Sequence, residues 1–133
     1  MKAEFPKLHL SLNGGINSLK EAKAALATGL DGVMIGRAAY QRPFDILAGI
    51  DGEIFGIQNK VDAFQVVRQI IPYIERHLEA GGKLNQITRH MFGLFNGRVG
   101  ARMWRRALSE SSHIGGSDVL VEALSYVAQE GAK

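Results

Sequence analysis

The stretch SLNGGINSLKEAK, residues 11–23, reads as a short strand, a glycine turn and the start of a helix, and DGVMIGRAAYQ, residues 31–41, repeats the sequence of signals. His9 to Leu12 alternates apolar and polar residues too briefly to decide alone, but the glycines and helix signals behind it favour a strand. Ser18 opens a helix, with Glu21 at the spacing where hydroxyl and carboxylate cap orphan amides reciprocally. Leu19, Ala22 and Leu26 form its apolar side, and Gly29 is its stop. Val33 to Ile35 is a short apolar run, the form of a strand covered on both faces. Strand, turn and helix twice over is the repeat of parallel α/β folds. Two such units cannot close a sheet by themselves. That leaves a small open sheet, or the end of a larger fold whose beginning is absent.

Beyond Gly52 the pattern turns helical. Asp62 with Gln65 caps a helix whose positions Phe64, Val67, Ile71, Ile74 and Leu78 follow an i, i+3, i+4 rhythm. Pro72 predicts a kink or a break into two segments, and Gly81 and Gly82 end the run. Leu84 to Phe95 and Val99 to Leu108 read as two more helices, separated by Asn96 and Gly97. SESSHIGGSD, residues 109–118, is a loop, and Ser117 caps a last helix with Leu120, Leu124 and Val127 on one face. The expected organisation is an α/β piece over residues 1–55 and a helical bundle over residues 56–133.

Of the 133 residues, 46% are apolar and 22% charged, the balance of a soluble globular protein. No apolar run approaches a membrane span and no secretory leader pattern is present, so a cytoplasmic setting is expected. The chain contains no cysteine, which excludes a disulfide framework, a thiolate metal site and a cysteine nucleophile within it. His9, His77, His90 and His113 have no partner acid at a telling spacing, and neither a metal site nor a catalytic role is assigned to them. The net charge of +3 is mild but unevenly placed. Six Lys/Arg and a single acid fall between Lys83 and Glu110, whereas the stretch from Asp45 to Asp62 is acidic. A local basic field of this kind points to an anionic partner.

Two features carry chemistry. A glycine pair after a strand lets a ligand approach the backbone, and a helix start behind it offers unpaired amides to an anion. Asn13, Gly14 and Gly15 have that form; Gly36 and Arg37 repeat it and add a guanidinium able to grip a phosphate. In barrels of eight β/α units, the loops after the last two strands often share one phosphate, so adjacent glycine turns suit two sides of one group. Both turns also serve as ordinary β-α loops. The second feature is a wheel: at 100° per residue, Arg98, Arg102, Arg105 and Arg106 fall within an arc of roughly 100°. Val99, Met103, Trp104, Ala107 and Leu108 take the remainder, with Trp104 read as core. Guanidinium groups with no acid among them suit bidentate contact with RNA phosphates and stacking on bases.

The motifs NGGI (13–16), DGVMIGRAAYQRP (31–43) and above all RHMFGLFNGRVGARMWRR (89–106) resemble the carboxy-terminal part of the A-type tRNA-dihydrouridine synthases. The glycine motifs recur with variation in other flavin barrels; the arginine-rich stretch is far more specific. The resemblance implies the last two β/α units (strands 7 and 8) of an FMN-binding TIM barrel, followed by a helical tRNA-recognition domain. It implies FMN as cofactor, NADPH as its reductant, and reduction of D-loop uridines (20/20a type) in tRNA to dihydrouridine. On this resemblance Asn13, Gly14 and Gly15 match the FMN contacts after the seventh strand, and Gly36 and Arg37 those after the eighth. Arg102 and Arg105 match the pair that selects which tRNA face is presented; Arg98 and Arg106 are expected as further phosphate contacts. The family's catalytic cysteine, the acid at C5 of uracil while hydride reaches C6, stands on an earlier barrel strand. This chain is therefore expected to lack the amino-terminal barrel portion and to be inactive alone. Two other readings stay open: a freestanding RNA-binding helical module, and the end of another FMN-dependent barrel dehydrogenase.

Overall fold

In the computed structural model, which describes residues 2–129, β1 (Ser11–Asn13) and β2 (Gly32–Met34) pair in parallel. The register sets Ser11 against Gly32, Leu12 against Val33 and Asn13 against Met34. A Cβ at Gly32 would stand 2.7 Å from the Ser11 hydroxyl, which would have to rotate away. Helix α1 (Leu19–Ala27) links the two strands. Asp31 locks their beginnings together: its amide donates to the Leu10 carbonyl, its carboxylate accepts from the Leu10 amide at 2.8 Å, and Lys2 pairs with it. The Leu10 amide first, and Lys2 after it, hold the Asp31 carboxyl below its ordinary range. The strands are not covered on both faces as expected of Val33 to Ile35. Val33 and Ile35 are half-buried and Met34 remains 51% exposed.

The helix expected after Gly36 divides at Arg42 into α2 (Arg37–Gln41) and α3 (Pro43–Phe55). Proline disfavours helical backbone in the residue before it, and Arg42 sits at φ −137°. Leu19, Ala38 and Ile46 form the buried centre, with Ile35, Ala39, Ile50 and Ile54 packed on it. This first unit runs to Lys60 rather than ending near residue 55, because Ile57 and Asn59 both bond back to Asp51.

The second unit begins at Val61 and contains α4 (Ala63–Glu79), α5 (Asn85–Thr88), α6 (Ala101–Ser111) and α7 (Asp118–Ser125). The Asp62 carboxylate caps α4 by accepting the Phe64 amide at 3.0 Å. Pro72 does not divide the helix. It has no N–H for the Arg68 carbonyl, but both residues lie on the exposed side, where that carbonyl is not buried without a partner. Buried Phe64, Val67 and Ile74 carry the apolar stripe into a core with Leu84, Phe95, Trp104, Leu108 and Leu120. Phe95 stands between Phe64 and Trp104, at ring-centroid separations of 5.1 and 4.8 Å, the second pair edge to face.

The helix expected over Leu84 to Phe95 stops at Thr88. From there to Gly100 the chain makes successive i to i−3 turns, among them His90 to Ile87, Leu94 to Met91 and Arg98 to Phe95. Glycine in a helix interior costs about 1 kcal/mol relative to alanine, and Gly93 and Gly97 both fall here. Tertiary structure also claims the backbone: the Met91 carbonyl accepts the buried Trp104 indole N–H at 3.1 Å. Ser117 precedes α7 without capping it by its side chain, which donates instead to Glu75 of α4 at 3.2 Å.

Candidate functional site

The parallel register brings the two glycine turns to the same end of the sheet. Asn13, Gly14, Gly15, Met34, Gly36 and Arg37 line one cleft of about 290 Å³, completed by Ile16 and Asn17. All five residues singled out in this region by the sequence therefore meet. Gly14 and Gly15 have φ of +113° and +76°, a backbone region that side chains disfavour, and a Cβ on either would meet nothing within 4 Å. Their glycine is required by conformation, and it leaves their surroundings open. Gly36 has φ −96° and a Cβ would only touch the Met34 thioether at 3.5 Å, so its own chain does not demand glycine. Arg37 is exposed, lines the cleft, and has no acid partner among the described residues.

One part of the expected anion chemistry is corrected. The Ser18 hydroxyl accepts the Glu21 amide at 3.2 Å, but the Glu21 carboxylate reaches past Ser18 to the Asn17 amide at 2.6 Å. The start of α1 thus already holds a carboxylate of its own, and the Asn17 and Glu21 amides are taken within the chain. Two residues that the sequence reading missed brace the cleft. The Asn17 side-chain amide donates to the Gly15 carbonyl at 2.9 Å, and Arg42 donates to the Asn17 carbonyl at 3.4 Å while facing Asp45 at 3.5 Å. Asn17 had a local signal, an amide residue two places beyond a glycine turn. Arg42 had none, since its partner is 25 residues away.

In the second unit, α6 buries Ala101, Trp104 and Leu108 and exposes Arg102, Arg105 and Arg106. The three arginines span an arc of about 100°. They differ in availability. Arg106 donates to Glu110 at 2.9 Å, an i, i+4 pair that contradicts an acid-free face. Arg102 and Arg105 have no acid partner among the described residues. Arg98 is off the helix, because α6 begins only after Gly100, whose φ of +88° turns the chain. Its guanidinium lies over the Phe95 ring, 5.6 Å from the centroid. Val99 and Met103, expected on the packed side, are 79% and 42% exposed.

A family model described as "Dihydrouridine synthase (Dus)" matches residues 1–129. The chain belongs to the dihydrouridine synthase family. It is similar to the tRNA-dihydrouridine(20/20a) synthase of Escherichia coli K12, at 55% identity over 133 residues, covering 98% of this chain and 38% of that protein. The protein of the same name from Salmonella typhimurium LT2 is 54% identical over 133 residues, covering 98% of this chain and 40% of the relative. That of Shewanella oneidensis MR-1 is 49% identical over 127 residues, with 95% and 37% covered. The chain thus spans about two-fifths of the length of the curated relatives it matches.

Within this chain the four histidines are spread out. His9 lies 3.3 Å from Ser11, His77 2.9 Å from Gln86, and His113 3.3 Å from Asn85, while His90 accepts from Arg89 at 3.1 Å. Among the described residues no group of three or more His, Cys, Asp or Glu is placed to hold a metal, and no helix is long and apolar enough to cross a membrane.

Proposed function

We propose that this chain is the FMN- and tRNA-binding part of a tRNA-dihydrouridine synthase acting on D-loop uridines of the 20/20a type. Residues 1–60 are read as the last two β/α units of a TIM barrel, and residues 61–133 as the tRNA-recognition domain. The observation that carries the reading is the cleft in which Gly14, Gly15, Gly36 and Arg37 meet above two parallel strands. Its volume is at the lower end for a small-molecule pocket, enough for the phosphate end of a larger ligand. FMN fits what is present. Open backbone at Gly14 and Gly15 admits a phosphate without a Cβ in the way, Arg37 supplies the charge-assisted donor, and Asn13 adds a side-chain amide. Once bound here and reduced by NADPH, FMN would supply the hydride for the C5=C6 bond of uridine. The chain's own residues bind and orient: the glycine turns fix the phosphate, and Asn17 and Arg42 hold the first turn in place. Arg102 and Arg105 hold the RNA backbone.

No cysteine in this sequence can act as the acid at uracil C5. The proposal is therefore that these residues bind flavin and RNA, and that turnover requires the barrel portion carrying that acid. Flavin fluorescence titration of the chain, with FMN and with riboflavin, tests the first half. FMN binding with riboflavin excluded supports a phosphate cleft, while equal weak binding of both refutes it. Retained tRNA binding without any flavin binding favours the alternative of a freestanding RNA-binding module.

A further inference from the structure

A second cleft, of about 140 Å³, opens in the helical unit between the end of α6 and the turn region that follows α5. Asn85, Arg89 and Phe92 line one side, Ser109 and Ser112 the other, with His113 at the rim. A cavity of this size admits a single ring; an engineered apolar cavity of ~150 Å³ takes up benzene. The lining is chemically mixed. Phe92 and the planar guanidinium of Arg89 offer stacking surfaces, Ser109 and Ser112 offer hydroxyls, and no acid is present. Asn85 adds a specific anomaly. Its Oδ1 is a buried side-chain oxygen with no hydrogen-bond partner, while its Nδ2 lies 3.3 Å from His113 Nδ1. A buried acceptor left unsatisfied marks a place where a donor is missing.

Position completes the case. Ser109 and Ser112 stand four and seven residues beyond Arg105, on the same side of the helix. Arg105 and Ser109 are about 6 Å apart along the axis, short enough for one nucleotide to bridge. We infer that this cleft takes one unstacked base of the RNA whose backbone Arg102 and Arg105 hold. The inference rests on the tRNA-binding reading proposed above and adds base recognition to it. Base edges present donors and acceptors together, and unpaired bases splayed on aromatic or guanidinium planes are the usual targets of sequence-specific RNA recognition.

The test uses the full chain and an unmodified tRNA transcript, alongside transcripts carrying one abasic site at a time among the unpaired positions. Ser109→Phe fills the cleft from an exposed position on α6. It should weaken transcript binding about tenfold at every salt concentration with an unchanged salt slope, the size of one lost stacked base. One abasic position should weaken wild type by the same factor and have no further effect on the variant. Asn85→Ala, read in the same cycle, serves if Ser109→Phe does not fold. Wild-type affinity in a folded variant, or abasic effects equal in both proteins, overturns the base site while leaving the arginine face intact. Wild type that fails to bind the transcript at all overturns both.

Discussion

Gly100→Ala is the sharpest perturbation of the helical unit. At φ +88°, alanine carries a left-handed backbone strain of about 1–2 kcal/mol. The new Cβ would also fall 1.8 Å from the Tyr126 carbonyl oxygen, 2.7 Å from its carbon and 2.9 Å from the Val127 Cα. All three are main-chain atoms, so no rotamer change relieves the overlap; the segment after α7 must move. That segment is held by the Ala128 amide donating to the Val99 carbonyl at 3.1 Å, and it buries Val127. Forced repacking of this sort costs about 1–3 kcal/mol, giving a total loss of about 2–5 kcal/mol. Gly97→Ala is the control. Its φ is +82° but a Cβ there meets nothing within 4 Å, so it should lose only the backbone part, about 1–2 kcal/mol. The single tryptophan, Trp104, is fully buried in the same unit, so urea unfolding followed by its fluorescence reads this unit selectively. Gly100→Ala no more destabilising than Gly97→Ala would refute the close approach of Tyr126 to the start of α6.

Arg37→Ala should weaken FMN binding roughly tenfold to a hundredfold, since a hydrogen bond to a charged group contributes about 1.5–3 kcal/mol; unchanged fluorescence titration would remove Arg37 from the phosphate site. Arg102→Ala and Arg105→Ala should each weaken tRNA binding and lower the salt slope by about one unit. Arg106→Ala should do so less, because Glu110 already neutralises it; filter binding over a salt series separates the three, and equal effects would show that the ion pair does not matter. Lysine at position 102 or 105 should restore the slope but only part of the affinity if the contact is bidentate. Because the Asp31 carboxyl titrates below its ordinary value, its contribution to the first unit is complete above about pH 4 and declines as pH falls through the lowered value. Hydrogen exchange at the Leu10 amide should therefore lose protection with acid in wild type and be unprotected throughout in Asp31→Ala; protection that does not vary with pH in wild type would contradict the linkage.

Much of this protein was legible because its signals are local. Ser18 and Glu21 announce α1, Asp62 announces α4, and Trp104 and Leu108 mark the buried side of α6, although Val99 and Met103, expected beside them, are exposed. The Arg106–Glu110 pair is an i, i+4 spacing written in the sequence, although the arginine face was read as free of acids. The glycine pair at 14 and 15 marked a turn open to a ligand, and the structure adds that both residues have positive φ. The positions that resisted are those whose conformation is decided by distant chain. Arg42 reaches Asn17 across a turn that sequence spacing cannot foresee. The segment from Arg89 to Gly100 has enough apolar residues to pass for a helix, yet its glycines weaken one and Trp104 takes the Met91 carbonyl.

By itself, then, the sequence determined the strand–turn–helix repeat, the family to which the chain belongs and the side chains that bear charge, since each is written in neighbouring residues. Tertiary structure decided which of them act together. The parallel register places Asn13 beside Met34 and so makes one cleft of two turns. The Tyr126 backbone leaves no room for a Cβ at Gly100, where the chain turns at positive φ, and Arg98 is thereby left outside α6. Both outcomes depend on contacts between residues far apart in the chain, and a backbone position chosen by such a contact leaves no periodic trace in the residues around it.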